Sequence, residues 1–114
     1  MIAHLVLMKP RGNLTAAERL AFVDAFERAV RTIPSVRGVH LGRRERHGAG
    51  YEQAPPDIDF AAVILFDDLS GLQTYLRHPA HADLGAQFGQ AMASALVYDC
   101  EVGGVDDLRR WPIL

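Results

Sequence analysis

The chain has 114 residues, 49% of them hydrophobic and 23% charged, with a formal net charge of −2, which leaves room for one domain around one core. That charge offers no strong attraction to nucleic acid or to an anionic membrane surface, and no apolar run reaches the roughly 20 residues needed to cross a bilayer. Cys100 is the only cysteine, so no intrachain disulfide can form; with no basic-then-apolar leader after Met1, a cytoplasmic protein is expected.

Ile2 to Lys9 (IAHLVLMK) reads as a strand, ended by Pro10 and Gly12. Thr15-Ala16-Ala17-Glu18 has the spelling of a capping box, in which the Thr15 and Glu18 side chains satisfy each other's orphan backbone amides. Leu20, Val23, Phe26, Val30 and Ile33 then recur at helical spacing, and Pro34 stops the helix. Val36 to Arg46 is a second strand, and His47 to Pro56 is a loop punctuated by glycine and paired proline. Ile58 to Phe66 carries the strongest strand signal. Asp67, Asp68 and Ser70 offer caps for a helix whose apolar stripe is Leu69, Leu72, Tyr75 and Leu76. His78-Pro79 interrupts that stripe, because the residue before proline is pushed out of helical geometry, and a new helix can open on Pro79. Leu84, Phe88, Met92 and Leu96 continue it on one face. Val97 to Val102 is the last strand, before Gly103-Gly104 and an apolar-ended tail from Val105 to Leu114 that is expected to dock on a surface.

The order β-α-β-β-α-β predicts an α+β, ferredoxin-like domain over residues 1–104, with a four-stranded antiparallel sheet carrying its helices on one face, and a tail over 105–114. A sheet with one wet face shows polar residues at alternate positions. Phe60 to Phe66 and Leu5 to Met8 show none. Both faces of these strands are therefore expected to be covered, and with no spare element in the chain a second copy is the simplest cover: a homodimer closing two sheets into an α/β barrel.

The stretch Tyr75-Leu76-Arg77-His78-Pro79-Ala80-His81 stands out among the polar residues. Together with the element order, His4 in the first strand and the closing Tyr98-Asp99, it resembles the stress-responsive dimeric α/β-barrel (Dabb) family over about residues 2 to 102. The resemblance implies the dimeric barrel already inferred. Some plant members of that family cyclise linear polyketides without a cofactor, and it implies Tyr75 and His81 as an acid–base pair with His4 assisting. One position departs from those members: where they bring a third-strand histidine to the pocket, this chain has Phe60. The Arg43–Pro56 loop also differs in character, which argues against the same polyketide substrate.

The local physics is compatible with such chemistry. A histidine in the first turn of the helix opened by Pro79 meets the positive end of the macrodipole and tends to stay neutral, as a general base must. A tyrosine hydroxyl beside an apolar cleft can donate to a carbonyl and stabilise an enolate. His4 shares a strand face with Ile2, Val6 and Met8. Val6, Met8, Val23, Phe26, Phe60 and His78 complete the expected lining of a small-molecule pocket. Each residue also has a plainer reading: His78 as a helix cap, His81 bonded to a backbone carbonyl, His4 and Tyr75 as core residues. His4, His78 and His81 are near enough to share a metal, but no local Cys, Asp or Glu has convincing ligand spacing, and neither metal nor cofactor is expected. Arg43-Arg44-Glu45-Arg46 lacks interleaved aromatics and reads as a solvated hairpin, with no nucleic-acid or membrane partner. Three functions stay open: a cofactor-free enzyme or binder of a small organic molecule, a non-catalytic stress-associated dimer, and a monooxygenase-like activity on the same barrel, the last by fold analogy alone.

Overall fold

A computed structural model describes residues 1–112 of the chain. Its elements are β1 (Ile2–Pro10), α1 (Ala16–Thr32), β2 (Gly38–Arg43), β3 (Phe60–Phe66), α2 (Leu69–Arg77), α3 (Pro79–Ala91) and β4 (Met92–Glu101), with single 3₁₀ turns at Gly50–Gln53 and Val105–Arg109. The four strands form one antiparallel sheet in the order β2-β3-β1-β4. This is the ferredoxin-like α+β arrangement, with the helices on one face.

Local chemistry starts each helix. The Thr15 hydroxyl accepts from the Glu18 amide at 3.1 Å while the Glu18 carboxylate accepts from the Thr15 amide at 3.0 Å, closing the capping box of α1. Asp68 accepts from the Gly71 amide at 2.9 Å and opens α2. His78 ends α2 and begins α3: its backbone is extended, its Nδ1 accepts from the Ala80 amide at 3.0 Å, and Pro79 occupies the first helical position.

Sheet register decides which residues face the helices. Val39, Ile64, His4 and Asp99 form one such row across the four strands, and Leu41, Ala62, Val6 and Val97 form the next. Ile64 and Phe66 pack with Ala25, Ala29, Ile33, Leu72, Tyr75 and Leu84, while Val6, Met8 and Ala62 pack with Phe22, Phe26 and Phe88. The opposite face carries the row His40, Val63, Leu5, Tyr98 and, beside it, Leu7 with Leu96 and Leu65 with Ala3. Most of these side chains are only half-buried, and Tyr98 is 54% exposed. An apolar sheet face thus lies open on the single protomer.

Three expectations need correction. The helix opened by Pro79 stops at Ala91, and Met92 and Leu96 belong to β4; the Ala-Ser-Ala segment between them has no strong preference, and pairing with Leu7 to Pro10 makes it a strand. The buried face of α1 runs through Ala25, Ala29 and Ile33 with Phe22, Phe26 and Val30 against it, leaving Leu20 and Val23 outward. Two alanines let this helix pack closely along α3, and large residues alone do not mark that face. Finally, β2 spans only Gly38–Arg43; one more cross-strand bond, from the Arg44 amide to the Asp59 carbonyl at 2.8 Å, follows before the chain enters the loop, where the Arg44 guanidinium donates to the Glu52 carbonyl at 2.6 Å. In the tail, Val105 and Leu108 are exposed on the protomer, and Ile113 and Leu114 lie outside the described residues.

Candidate functional site

The break at His78 determines what meets between the helices and the sheet. Tyr75 lies in the last turn of α2 and His81 in the first turn of α3. With one joint residue setting the angle between the helices, the two rings meet edge-on, their centroids 4.8 Å apart. Tyr75 is 1% exposed and also packs against Phe66 at 5.2 Å and, edge-on, against His4 at 5.9 Å. His4 rises from the floor of β1 and is itself buried, and its Nδ1 lies 2.6 Å from Oδ1 of Asp99 on β4. A carboxylate can only accept, so this contact fixes Nδ1 of His4 as the protonated nitrogen.

His4, Tyr75 and His81 line one chamber of about 250 Å³. Its floor is Val6, Met8, Ile64 and Val97, and Phe22, Phe26, Leu84, Gly85 and Phe88 of α1 and α3 form its walls. Burial pushes the Tyr75 phenol up to about 12, so at neutral pH it is a hydrogen-bond donor and not a phenolate. No fully buried side-chain polar atom among the described residues lacks a partner. The Tyr75 hydroxyl, which has no hydrogen-bond partner among the described residues, therefore keeps access to the chamber it lines. His81 is held below the ordinary histidine value, first by burial and second by repulsion from the neighbouring imidazole of His4; the Leu76 backbone pulls the other way. An apolar chamber thus contains a base that resists protonation beside a donor that resists ionisation.

Val6, Met8 and Phe26 line this chamber with the three polar groups, and three other expected lining residues do not. Val23 and Phe60 line a neighbouring cavity, Val23 because the buried face of α1 is rotated away from it and Phe60 because it starts β3 opposite Met8. His78 spends Nδ1 on the α3 cap. Asp99, by contrast, enters the site through its bond to His4, although the sequence marked it only as part of the family resemblance and not as a site residue. The available signal was an acidic residue inside an apolar strand, and its meaning depends on the register that sets it beside His4. Among the described residues no three His, Cys, Asp or Glu side chains gather as a metal-binding group, and no helix is long and apolar enough to cross a membrane.

A family description, the Stress responsive A/B Barrel Domain, matches residues 2–102. The chain is similar to olivetolic acid cyclase of Cannabis sativa, with 23% identity over 101 residues, 86% of this chain and 93% of that protein. Among solved structures it resembles the hydroxynitrile lyase of Passiflora edulis, with a TM-score of 0.76 and 13% identity over 90% of this chain and 93% of that one. It also resembles a dimeric ferredoxin-like protein of unknown function from Thermobifida fusca, with a TM-score of 0.69 and 22% identity over 89% and 90% of the two chains. At these identities the structural likenesses speak for the fold.

Proposed function

Because the chain belongs to the stress-responsive A/B barrel family, we propose that it is a homodimer whose protomers each use the His4–Tyr75–His81 chamber for cofactor-free proton transfer beside a carbonyl group. The observation that carries this reading is the pairing of a neutral-leaning His81 with a protonated Tyr75 on one apolar chamber. Neutral His81 takes the proton from the carbon next to a bound carbonyl. The electron pair left behind moves onto the carbonyl oxygen, and the Tyr75 hydroxyl donates to the enolate oxygen as its charge develops. The imidazolium then returns the proton to the same carbon, or to a new site after ring closure or bond cleavage. Asp99 acts one residue away, holding the His4 ring in a single tautomer and orientation.

Two relatives are named as a cyclase and a lyase, which supports an enzyme over a purely structural dimer. The chamber also argues against a packing role, because Phe88 lines it without filling it and Phe60 lies outside it. Dimerisation is supported by the open apolar sheet face and by dimeric relatives such as the Thermobifida protein. A single exposed, free Cys100 suits a reducing compartment, in keeping with a cytoplasmic protein.

The test is deuterium incorporation at the α-carbon of a small aryl methyl ketone, followed by proton NMR. The intact protein is expected to accelerate exchange above buffer, with His81→Ala and Tyr75→Phe each losing about 100-fold of that acceleration. Exchange that persists unchanged in both variants removes the proposal.

A further inference from the structure

A larger cavity, of about 530 Å³, adjoins the His4–Tyr75–His81 chamber. The two share Met8 and the ring of Phe22 as a common wall. Phe22 packs at 6.3 Å from Phe26 and 6.2 Å from Phe88, so it stands as a partition between them. The sizes are unequal in a useful way. Pockets for organic ligands of ordinary size run from about 300 to 1,000 Å³. The inner chamber falls below that range and the outer cavity falls within it. A ligand whose reacting end enters the first can lodge its body in the second, the larger of the two cavities that meet the chamber at Met8 and Phe22.

The lining of the outer cavity indicates what that body looks like. Leu14, Val23, Leu41, Phe60 and Met92 make it chiefly apolar, and its only ionisable lining residues are Arg11 and Arg19. The Arg11 guanidinium is already 3.5 Å from the Glu18 carboxylate. Arg19 is exposed and has no ion-pair partner among the described residues. A lone guanidinium on an apolar cavity is suited to a carboxylate, which it can grip with two parallel hydrogen bonds.

We propose that the outer cavity is a binding site for an amphipathic carboxylate, with its hydrocarbon part against Met8 and Phe22 and its anionic end on Arg19. Joined to the inner chamber, it selects a medium-chain or aryl oxo acid, the ketone reaching Tyr75 and His81 and the carboxylate remaining at Arg19. The ketone half of this assignment rests on the proton-transfer reading above; the anionic anchor stands without it.

The experiment is calorimetric titration of the intact protein with octanoate and with 1-octanol, which have equal chains and differ in charge. Octanoate is expected to bind about tenfold more tightly than 1-octanol. Arg19→Gln should abolish that preference and leave 1-octanol unchanged, and Val23→Trp, which fills the outer cavity from an exposed position, should weaken both. Equal affinity for the two ligands, no binding of either, or a preference that survives Arg19→Gln overturns the proposal. His81→Ala separates the two readings, since it should retain octanoate binding while losing ketone exchange. An Arg19-dependent octanoate site in a protein that exchanges no ketone leaves the anchor standing and removes the proton transfer.

Discussion

The Asp99 carboxylate accepts from Nδ1 of His4 at 2.6 Å, and the two residues are direct cross-strand partners in β4 and β1. His4 is 6% exposed, whereas the Asp99 side chain is 43% exposed, so deleting the acid strands a buried imidazole. Asp99→Ala is expected to cost about 1–3 kcal/mol of folding stability. Asp99→Asn keeps an accepting oxygen and should cost under about 1 kcal/mol. Urea unfolding of the two variants checks the order; equal losses would mean that the contact contributes only through its charge.

The depressed His81 basicity has a signed consequence for stability. The unfolded chain takes up a proton near the ordinary value of 6.5, and the folded chain only at a lower pH. Stability from this group is therefore fully present above 6.5 and lost as pH falls through that value to the folded one. His81→Gln should flatten that part of the profile, measured as the difference in urea midpoint between pH 7.5 and 5.5 for the variant and the parent. Ketone exchange should rise with pH along the same limb and reach its plateau by neutrality. A falling limb from Tyr75, near 12, lies beyond the working range.

Gly85 lines the inner chamber from α3, and a Cβ built there meets no atom within 4 Å. Gly85→Ala should stabilise the fold by about 0.5–1 kcal/mol, since a helical glycine has more backbone freedom to lose. Gly85→Leu should also fold, but with its side chain occupying space where a ketone would lie. Loss of exchange activity with an unchanged or raised melting temperature is the expected signature of this variant.

Val63 stands between Leu5 and His40 on the uncovered sheet face. The protein is expected to sediment at twice its 12.6 kDa protomer mass. Val63→Glu would bury a charge in that contact, and should raise the dissociation constant by about 100-fold or more. Sedimentation equilibrium decides; a parent protein that runs as a protomer at high concentration rules out the homodimer.

Much of this molecule was legible from residues because some of its signals are local. The Thr15–Glu18 capping box and the His78-Pro79 joint depend on neighbours a few positions away, and both occur where their spelling indicates. The unbroken apolar run of β3 likewise foretold a sheet with two greasy faces. Other features depend on partners remote in sequence. Met92 to Ala95 became strand only through pairing with β1, and Asp99 acquired its role only through register. The large residues of α1 marked only part of its inward face: Phe26, Val30 and Ile33 pack into the core, Leu20 and Val23 do not, and Ala25 and Ala29, too small to stand out, are what the neighbouring elements close upon. Phe22, the partition between the two cavities, was hidden by the same rotation.

Since a single amino acid serves as both the end of α2 and the start of α3, the segment from Tyr75 to His81 contains no slack. Adding or deleting one residue there would turn everything downstream by about 100° around the helix axis and swing the imidazole away from the phenol. Drift in this gene should accordingly spare the length of that heptapeptide more strictly than the identity of its outward letter, Arg77. Insertions would collect instead in the Gly- and Pro-rich connection between β2 and β3, which contributes no residue to the inner chamber.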